Sequence, residues 1–393
     1  MSDWAAANQG SPRPVARFYR SVSRPGTVAQ ALFLVLVVAL IASVTIVAQG
    51  NLDRLSVKSG YDFLWERAPF ELGESLIDYS AGDTYFRAYL VGVLNTLKVA
   101  ILGIVLSTVL GLFIALGQLS PSVVVARMCR LYIETARNVP LLMQLIFWYA
   151  LMTGGLPRVK QALSPVEGVY LSNRGLVLPA LELGGQGWVL FAALVLGLLL
   201  SAALLLWKRR SGVTGGALLL ALALLCAPVL VTFLATGASV SLDVPELKGF
   251  NFRGGMTVSP EFLAVLLGLT LYTAAFNAEV IRGGIMGVPK GQTEAATALG
   301  LKRGKIMRLV VIPQALRIII PPMSNNYLNL TKESSLAVAI GYPEVVRVAT
   351  VTLAETSQSI ECISIIMLVF LSISLTTSLL MNWYNARAEV KSR

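Results

Sequence analysis

The sequence has no histidine, few charged residues and only three cysteines, and each shortage narrows the range of functions. Without histidine the chain cannot build histidine-ligated metal sites, histidine general bases or histidine-containing triads. Charged residues make up 13% of the chain, whereas a soluble globular protein carries about 25%. The cysteines lie isolated in or near apolar segments, without zinc-binding spacing or a disulfide framework. They are Cys129, Cys226 and Cys362.

Hydrophobic residues account for 55% of the 393 residues, which predicts an integral membrane protein. The net charge of +11 could indicate a nucleic-acid-binding protein, but the basic residues cluster at the ends of apolar runs. This pattern orients a membrane protein, with lysine and arginine on the inner side. We therefore expect the lipid bilayer as a partner and no nucleic acid.

Hydropathy and charge predict an all-α, polytopic transmembrane helix bundle of about eight spans, with both termini inside. The first apolar run, 31–48, could be a signal peptide, but the polar segment before it is long for one. Looped segments at 154–186 and 238–257 are predicted outside, and a hairpin turn at 208–210 is predicted inside. Hydropathy alone would choose 334–354 as the seventh span. The other spans cover about 88–118, 140–153, 187–207, 216–237, 258–281 and 360–383.

A basic, partly amphipathic segment at 288–313 interrupts the apolar runs. Pro289 is expected to break the preceding helix, and Thr293 is expected to cap a short new one. Alanines give this helix a smooth surface, and Gly300 is placed to end it. A second short, basic helix is predicted to run to Pro313. Two short helices on a charged membrane loop indicate a docking surface for another polypeptide.

The same segment resembles the EAA loop in the permease subunits of bacterial ATP-binding cassette importers. That motif is Glu-Ala-Ala, three residues, Gly, nine residues, a β-branched residue, one more, an aliphatic residue and Pro. The flanking residues 287–292 and 313–317 narrow the resemblance to the polar, or general L-, amino acid branch. Two positions differ mildly, with Val and Ile where the family usually has Ile and Leu. The matching residues are Glu294, Ala295, Ala296, Gly300, Val310, Ile312 and Pro313.

The resemblance implies a type I ABC importer permease core of five spans, here with an extra N-terminal span and an inserted hairpin. It places the seventh span at 315–340 and an amphipathic helix of the outer surface at 342–356. The chain then divides into a cytoplasmic tail (1–29), the extra span and an outer loop (30–87), a first core part (88–153), the inserted hairpin with outer loops (154–257), a second core part (258–384) containing the cytoplasmic coupling loop (285–313), and a C-terminal cytoplasmic tail (385–393).

Partners and mechanism also follow from the resemblance. In that family the EAA loop lies in a cleft of the ATPase subunit and transmits its closure to the membrane helices. We therefore expect two copies of an ATPase that holds ATP and Mg²⁺, a second homologous permease, and a periplasmic amino acid binding protein. This chain, in a bacterial inner membrane, would bind no cofactor itself and would pass amino acids along its helices by alternating access.

The sequence itself has no phosphate-binding loop. The segment 300–306 has one residue too few between its glycines, and it ends in isoleucine in place of serine or threonine. ATP hydrolysis is therefore expected on a partner chain, and this chain is not expected to be an enzyme. The alternative is a stand-alone secondary transporter or channel for small polar solutes, although no repeated half is visible. A membrane-embedded enzyme is disfavoured because no catalytic constellation is present.

Polar residues inside the predicted spans cost free energy, so they line a pathway or pair with each other. In the seventh span, hydrogen bonding between helices explains them as well as substrate contact does. Glu279 is explained more simply by a surface ion pair with Arg282. Lys332 and Glu333 are adjacent, so on a helix they point about 100° apart. The predicted pathway residues are Asn138, Gln144, Glu279, Asn325, Asn326, Lys332 and Glu333.

Overall fold

The computed structural model describes residues 25–54, 60–182, 187–211, 217–237 and 241–388. Of the predicted tails, residues 1–24 and 389–393 lie outside the described residues, whereas 25–29 and 385–388 are helical. The described helices are α1 (Pro25–Arg54), α2 (Tyr85–Gln118), α3 (Val123–Asn138), α4 (Leu141–Ala150), α5 (Gly187–Ser211), α6 (Ala217–Thr236), α7 (Pro260–Met286), α8 (Lys290–Ala298), α9 (Arg303–Ile306), α10 (Ile312–Glu333), α11 (Val345–Thr356) and α12 (Ser359–Ala388).

The predicted membrane spans agree with the helices of the structure. Long apolar runs become helices because hydrocarbon offers no other partner for backbone N–H and C=O groups. Within the described residues, six helices are long and apolar enough to cross a membrane, and Val28–Leu40 and Leu141–Gly155 are shorter apolar helices. The polytopic helix bundle is thus confirmed. The seventh span lies at Arg303–Ile340, which agrees with the range 315–340 that the resemblance implies and not with 334–354, the choice of hydropathy alone.

Helices α2 and α7 form the centre of the bundle, and α4 and α10 pack against α7. Small residues let the two central backbones come close. A Cβ at Gly111 of α2 would lie 2.7 Å from Asn277 Cβ of α7. Large apolar side chains, including Val99, Leu145 and Leu269, fill the neighbouring layer and are fully buried. Close packing of this kind is the main source of helix association in a membrane.

The inserted hairpin consists of α5 and α6, which pack against each other along their length. A Cβ at Gly197 would lie 2.6 Å from the carbonyl oxygen of Leu225, so only glycine allows this approach. One helical turn further along α5, the Ser201 hydroxyl donates to the carbonyl oxygen of Ala221 on α6 at 2.7 Å. A small residue and a buried hydroxyl therefore fix the hairpin.

The segments predicted as outer loops contain short strands, which the sequence analysis missed. A four-stranded antiparallel sheet has the order β1–β2–β3–β8. Two smaller pairs, β4–β5 and β6–β7, accompany it. The strands are β1 (Leu163–Val166), β2 (Val169–Ser172), β3 (Gly175–Leu178), β4 (Ala180–Glu182), β5 (Ser241–Asp243), β6 (Glu246–Lys248), β7 (Asn251–Arg253) and β8 (Met256–Val258). They lie between α4 and α7, at the end of the bundle opposite 288–313, which we call the far end.

A partly buried ionic contact joins three segments at the far end. The Glu74 carboxylate pairs with the Lys98 ammonium on α2 and accepts a hydrogen bond from the Ser259 hydroxyl, which also caps α7. The Lys98 Nζ lies 4.1 Å from the ring centroid of Phe262. Helix α11, predicted as an amphipathic outer helix, buries one face here and is capped by Glu344. The contacts of Glu74 hold the loop before α2 to α2 itself and to the start of α7.

Candidate functional site

The docking loop, which we define as residues 288–313, begins differently from the prediction. Helix α8 starts at Lys290, directly after Pro289, so the expected cap at Thr293 is wrong. Helix α7 already ends at Met286, and Pro289, with an extended ψ of 131°, sets the direction of the new helix. The helix therefore starts one turn earlier than a threonine cap would allow, and Thr293 and Glu294 lie in its middle. Both are exposed.

Gly300 ends α8 as predicted. Its φ is +74°, the left-handed region that side chains with a Cβ disfavour. The Gly300 N–H donates to Thr297 O at 2.9 Å, and the Leu301 N–H donates to Ala296 O at 3.2 Å. This pair of bonds is the Schellman motif, which satisfies the last carbonyl groups of a helix while the chain reverses. Gly300 therefore fixes the angle between α8 and the next helix.

The sequence predicts that the second helix of the loop ends at Pro313, but the helix continues past this residue. Helix α9 continues through one π turn, Met307–Val311, into α10 without a break. Pro313 is the second residue after this π turn, where the regular backbone ladder is already interrupted, and it has no N–H to donate to the preceding turn. The loop is therefore mechanically continuous with a membrane span. A force on α9 acts directly on α10.

The docking loop has one buried and one exposed face. Ala296, Ile306 and Val311 are buried in a cluster with residues of α7 and α10. Val310 is half-buried, whereas Glu294, Ala295, Gly300, Ile312 and Pro313 are exposed. Some motif residues thus attach the loop to the bundle, and the others form its exposed surface.

Leu299 is a surface residue that the sequence analysis missed. It is the last residue before Gly300, and 81% of its surface is exposed. A leucine in a polar segment, directly before a turn glycine, is a sequence signal for an exposed apolar side chain at the tip of the docking loop. Its side chain is free to enter a hydrophobic cleft on a partner.

A polar cavity of about 890 Å³ opens next to the docking loop, between α2, α3 and α7. Within it the Arg282 guanidinium pairs with Glu279 at 2.9 Å, and Gln118 Nε2 donates to Glu279 Oε1 at 3.1 Å. The expected Glu279–Arg282 ion pair is therefore present. We call this space the inner cavity. Its charged or amide-bearing lining residues are Gln118, Arg130, Glu134, Arg137, Asn138, Glu279 and Arg282.

A smaller pocket of about 120 Å³ lies deeper in the bundle, and we call it the membrane pocket. Phe276 lines both this pocket and the inner cavity. The Arg137 guanidinium carbon lies 5.0 Å from the Phe276 ring centroid, which is a cation–π contact. Phe276 therefore borders both spaces, and the Arg137 guanidinium lies over its ring. The membrane pocket is lined by Tyr272, Thr273, Phe276, Asn326, Asn329 and Glu333.

Asn326 also belongs to a hydrogen-bonded chain between helices. Its Nδ2 donates to Asn277 Oδ1 at 2.9 Å, and Asn277 Nδ2 donates to the Ser107 hydroxyl at 3.3 Å. Asn277 is fully buried. The chain ties α10 to α7 and α2, so Asn326 both lines the pocket and holds the bundle.

The remaining predicted pathway residues lie elsewhere. Gln144 Nε2 donates to the carbonyl oxygens of Ala136 and Val139, at 2.8 and 3.0 Å, and so satisfies the C-terminal end of α3. Lys332 lines an apolar groove against α12 and not the membrane pocket, while its neighbour Glu333 lines that pocket. Asn325 is exposed on α10. The structure thus separates Lys332 from Glu333, as the 100° step between neighbours requires.

The sequence matches a protein family and several known proteins. The family described as "Binding-protein-dependent transport system inner membrane component" matches residues 217–390. The general L-amino acid transport system permease protein AapQ of Rhizobium johnstonii is 43% identical over 368 residues, covering 93% of this chain and 92% of that protein. The putative amino-acid ABC transporter permease protein YhdX of Escherichia coli is 46% identical over 350 residues, covering 87% and 88%.

A third relative is the glutamate/glutamine/aspartate/asparagine transport system permease protein BztB of Rhodobacter capsulatus. It is 37% identical over 379 residues, covering 87% of this chain and 88% of that protein. Among solved structures, the crystal structure of an amino acid ABC transporter with histidines matches with 23% identity and a TM-score of 0.47. That match covers 77% of this chain and 95% of the solved chain.

Proposed function

We propose a transport role for this chain on the basis of its family. The chain belongs to the permease subunits of ATP-binding cassette importers, the binding-protein-dependent inner membrane components. It is a multi-pass inner membrane protein and a transporter subunit that works with an ATPase and a binding protein. The relatives named above are permeases for amino acids. We infer that this chain forms the path of an amino acid importer.

The observation that carries the proposal is the pair of polar spaces that meet at Phe276. They follow one another along α7, from the docking loop towards the middle of the bundle. An amino acid carries an ammonium and a carboxylate group. The membrane pocket offers the Glu333 carboxylate and two aromatic rings, which suit an ammonium. The inner cavity offers Arg137 and Arg282, which suit a carboxylate.

In this proposal Phe276 is the inner barrier of the path. The contact with Arg137 holds its ring between the two spaces. Movement of α10 against α7 breaks the Asn326–Asn277 hydrogen bond and so changes the wall of the membrane pocket that Asn326 lines. Asn325 is exposed on α10, and in the proposal it faces the path where a second permease meets this one. Lys332 lies in the groove against α12 and has no part in the proposed path.

The coupling step is assigned to the docking loop. Closure of the ATPase pair moves α8 and α9, and the continuous helix transmits that movement to α10. ATP and Mg²⁺ belong to the ATPase in this proposal, and this chain binds no cofactor. The assembly contains two ATPase copies, a second homologous permease and a periplasmic binding protein, with both termini of this chain in the cytoplasm. Purification from native membranes, with subunit masses and ratios measured, tests this composition.

The path is tested by Glu333→Gln in the complete complex, reconstituted into proteoliposomes. Glutamine keeps the shape of the side chain and removes its charge, so the ammonium group loses its counter-charge. We expect KM for amino acid uptake to rise about tenfold or more, which is about 1.4 kcal/mol. Glu355→Gln is the matched control, because Glu355 is exposed on α11 at the far end. Unchanged uptake of every amino acid by the Glu333→Gln complex would remove Glu333 from the path.

A further inference from the structure

A basic pocket of about 710 Å³ at the far end is not used by the proposed transport path. Its lining includes Arg158, Lys160 and Arg174. Among the described residues that line it, none carries a carboxylate. Arg158, Lys160 and Arg174 are all exposed. Three positive charges around one opening indicate an anionic ligand.

The basic pocket is preformed by contacts between its walls. The Asn173 N–H donates to Pro157 O at 2.9 Å, which ties the segment after α4 to the β2–β3 turn that carries Arg174. Val159 is buried between Arg158 and Lys160 and anchors that segment. These contacts set the backbone positions of the three basic residues before any ligand arrives.

The third wall is the tip of the β6–β7 hairpin. Phe250 lies there with 77% of its surface exposed, and Lys160 Nζ lies 4.3 Å from its ring centroid. Phe252 in the same hairpin stacks on Tyr170 of β2, with ring centroids 4.5 Å apart. An exposed phenylalanine beside cationic groups is the pairing found where protein meets the interfacial region of a bilayer.

The depth of the basic pocket points to the same region. Helix α4 and its final π turn, Leu141–Gly155, comprise 10 and 5 residues. At 1.5 Å per residue this segment is about 22 Å long, shorter than the hydrocarbon core of about 30 Å. It starts beside the inner cavity, and the basic pocket follows immediately at residue 156. A segment that follows so short a span lies close to the membrane, and we infer that the basic pocket faces the headgroup region.

We propose that the basic pocket binds the phosphate headgroup of an anionic phospholipid. The planar guanidinium groups of Arg158 and Arg174 match phosphate oxygens in pairs. Lys160 adds a third donor, and Phe250 packs against the glycerol and upper acyl region. Such a lipid fastens the strand-containing insertion to the membrane next to α4. This binding is independent of the amino acid path.

The test is lipid retention by the complete complex. Complexes are reconstituted in nanodiscs that contain phosphatidylglycerol and phosphatidylcholine, then transferred to detergent, and the retained lipids are counted by native mass spectrometry. We expect retained phosphatidylglycerol over phosphatidylcholine, and a loss of about tenfold or more in Arg158→Gln/Lys160→Gln, because each basic residue near the surface contributes to anionic lipid binding. Lys248→Gln/Arg253→Gln removes the same two residue types from β6 and β7, outside the pocket, and should retain the lipid.

Three outcomes would overturn the proposal. Equal loss from both double variants would mean that only the overall charge matters. Displacement of the lipid by millimolar inorganic phosphate would identify a free-anion site instead. Unchanged lipid retention, together with weaker affinity for the purified binding protein in Arg158→Gln/Lys160→Gln, would assign the pocket to an acidic protein surface.

Discussion

At the residue scale, Gly300 carries the sharpest constraint in the docking loop. Its φ of +74° costs about 1–2 kcal/mol for a residue with a Cβ, and more for a β-branched one. In Gly300→Val the chain is expected to relax by changing the angle between α8 and α9. We predict that amino acid uptake falls severalfold while assembled complexes still hydrolyse ATP, as measured together in proteoliposomes.

Two further variants separate this effect from bulk alone. Gly304 lies in α9, has open space around it and has no positive φ, so Gly304→Val should leave coupling near normal. Gly300→Asn should recover part of the loss, because asparagine tolerates the left-handed region. Full uptake by correctly inserted Gly300→Val would show that the turn does not set the coupling geometry.

Glu344 is the residue at which stability should depend on pH. Burial raises the pKa of its carboxyl from 4.5 to about 8, although the N–H groups of Val346 and Arg347 donate to it. The folded protein therefore holds this proton more tightly than the unfolded chain does. Its contribution to stability is complete below about pH 4.5 and is lost as the pH rises through about 8.

We therefore predict that the thermal unfolding temperature of the purified complex falls as the pH rises from about 4.5 to about 8. In Glu344→Gln this part of the pH dependence should disappear, because glutamine does not titrate, while its single side-chain oxygen can still accept one of the two N–H bonds. A pH dependence identical in the two proteins would assign the effect to other groups.

Residue-scale features were predictable from sequence where the backbone alone dictates them. The left-handed turn at Gly300 follows from glycine's place after an alanine-rich helix. The chain Ser107–Asn277–Asn326 could not be found this way, since it depends on which faces of three helices meet. The same reason explains Gln144, whose partners are carbonyl groups at the end of another helix.

At the element scale, the Glu74 contact holds the far end together. Glu74→Gln leaves the Lys98 ammonium partly buried, beside the Phe262 ring and without its counter-charge. Removing one partner of a fully buried pair costs about 3–5 kcal/mol. Because 22% of the Lys98 side chain is exposed, we predict a smaller loss of about 2 kcal/mol. It should be measured as reduced thermal stability of the complex.

Two variants check the origin of this loss. Glu71→Gln, three residues earlier and exposed, should be near neutral. Glu74→Gln/Lys98→Met should be more stable than Glu74→Gln alone, because no unpartnered charge remains. A double variant that is no better than the single one would mean that the ion pair is not the source.

The helices were predictable to the extent that hydropathy defines them, but their ends were not. The start of α8 depends on Pro289, whose ring presets the backbone one turn before Thr293. The continuity of α9 with α10 depends on a π turn, which has no simple sequence signal. The strands between α4 and α7 are three or four residues long, too short for an alternating pattern to stand out.

At the scale of the whole molecule, the spans alternate in direction, so their sidedness can be tested. The positive-inside pattern predicts that residue 211, at the end of α5, is cytoplasmic and that β1 is periplasmic. Ser172 is buried and would label poorly, whereas Ser164 in β1 is exposed. In a background without the three cysteines, Ser164→Cys should react with an impermeant thiol reagent in intact cells. Ser211→Cys should react only in inside-out vesicles. Reaction from one side by both variants would contradict the eight-span arrangement.

The central claim is that amino acids cross the membrane through this chain, driven by ATP hydrolysis on a partner and transmitted through the docking loop. The most direct measurement is uptake of labelled amino acids by proteoliposomes that contain either the complete complex with its binding protein or this chain alone. We predict accumulation against a gradient only with the complex and MgATP, and its loss in Gly300→Val. Concentrative uptake by this chain alone, without ATP, would contradict the account and identify a stand-alone transporter.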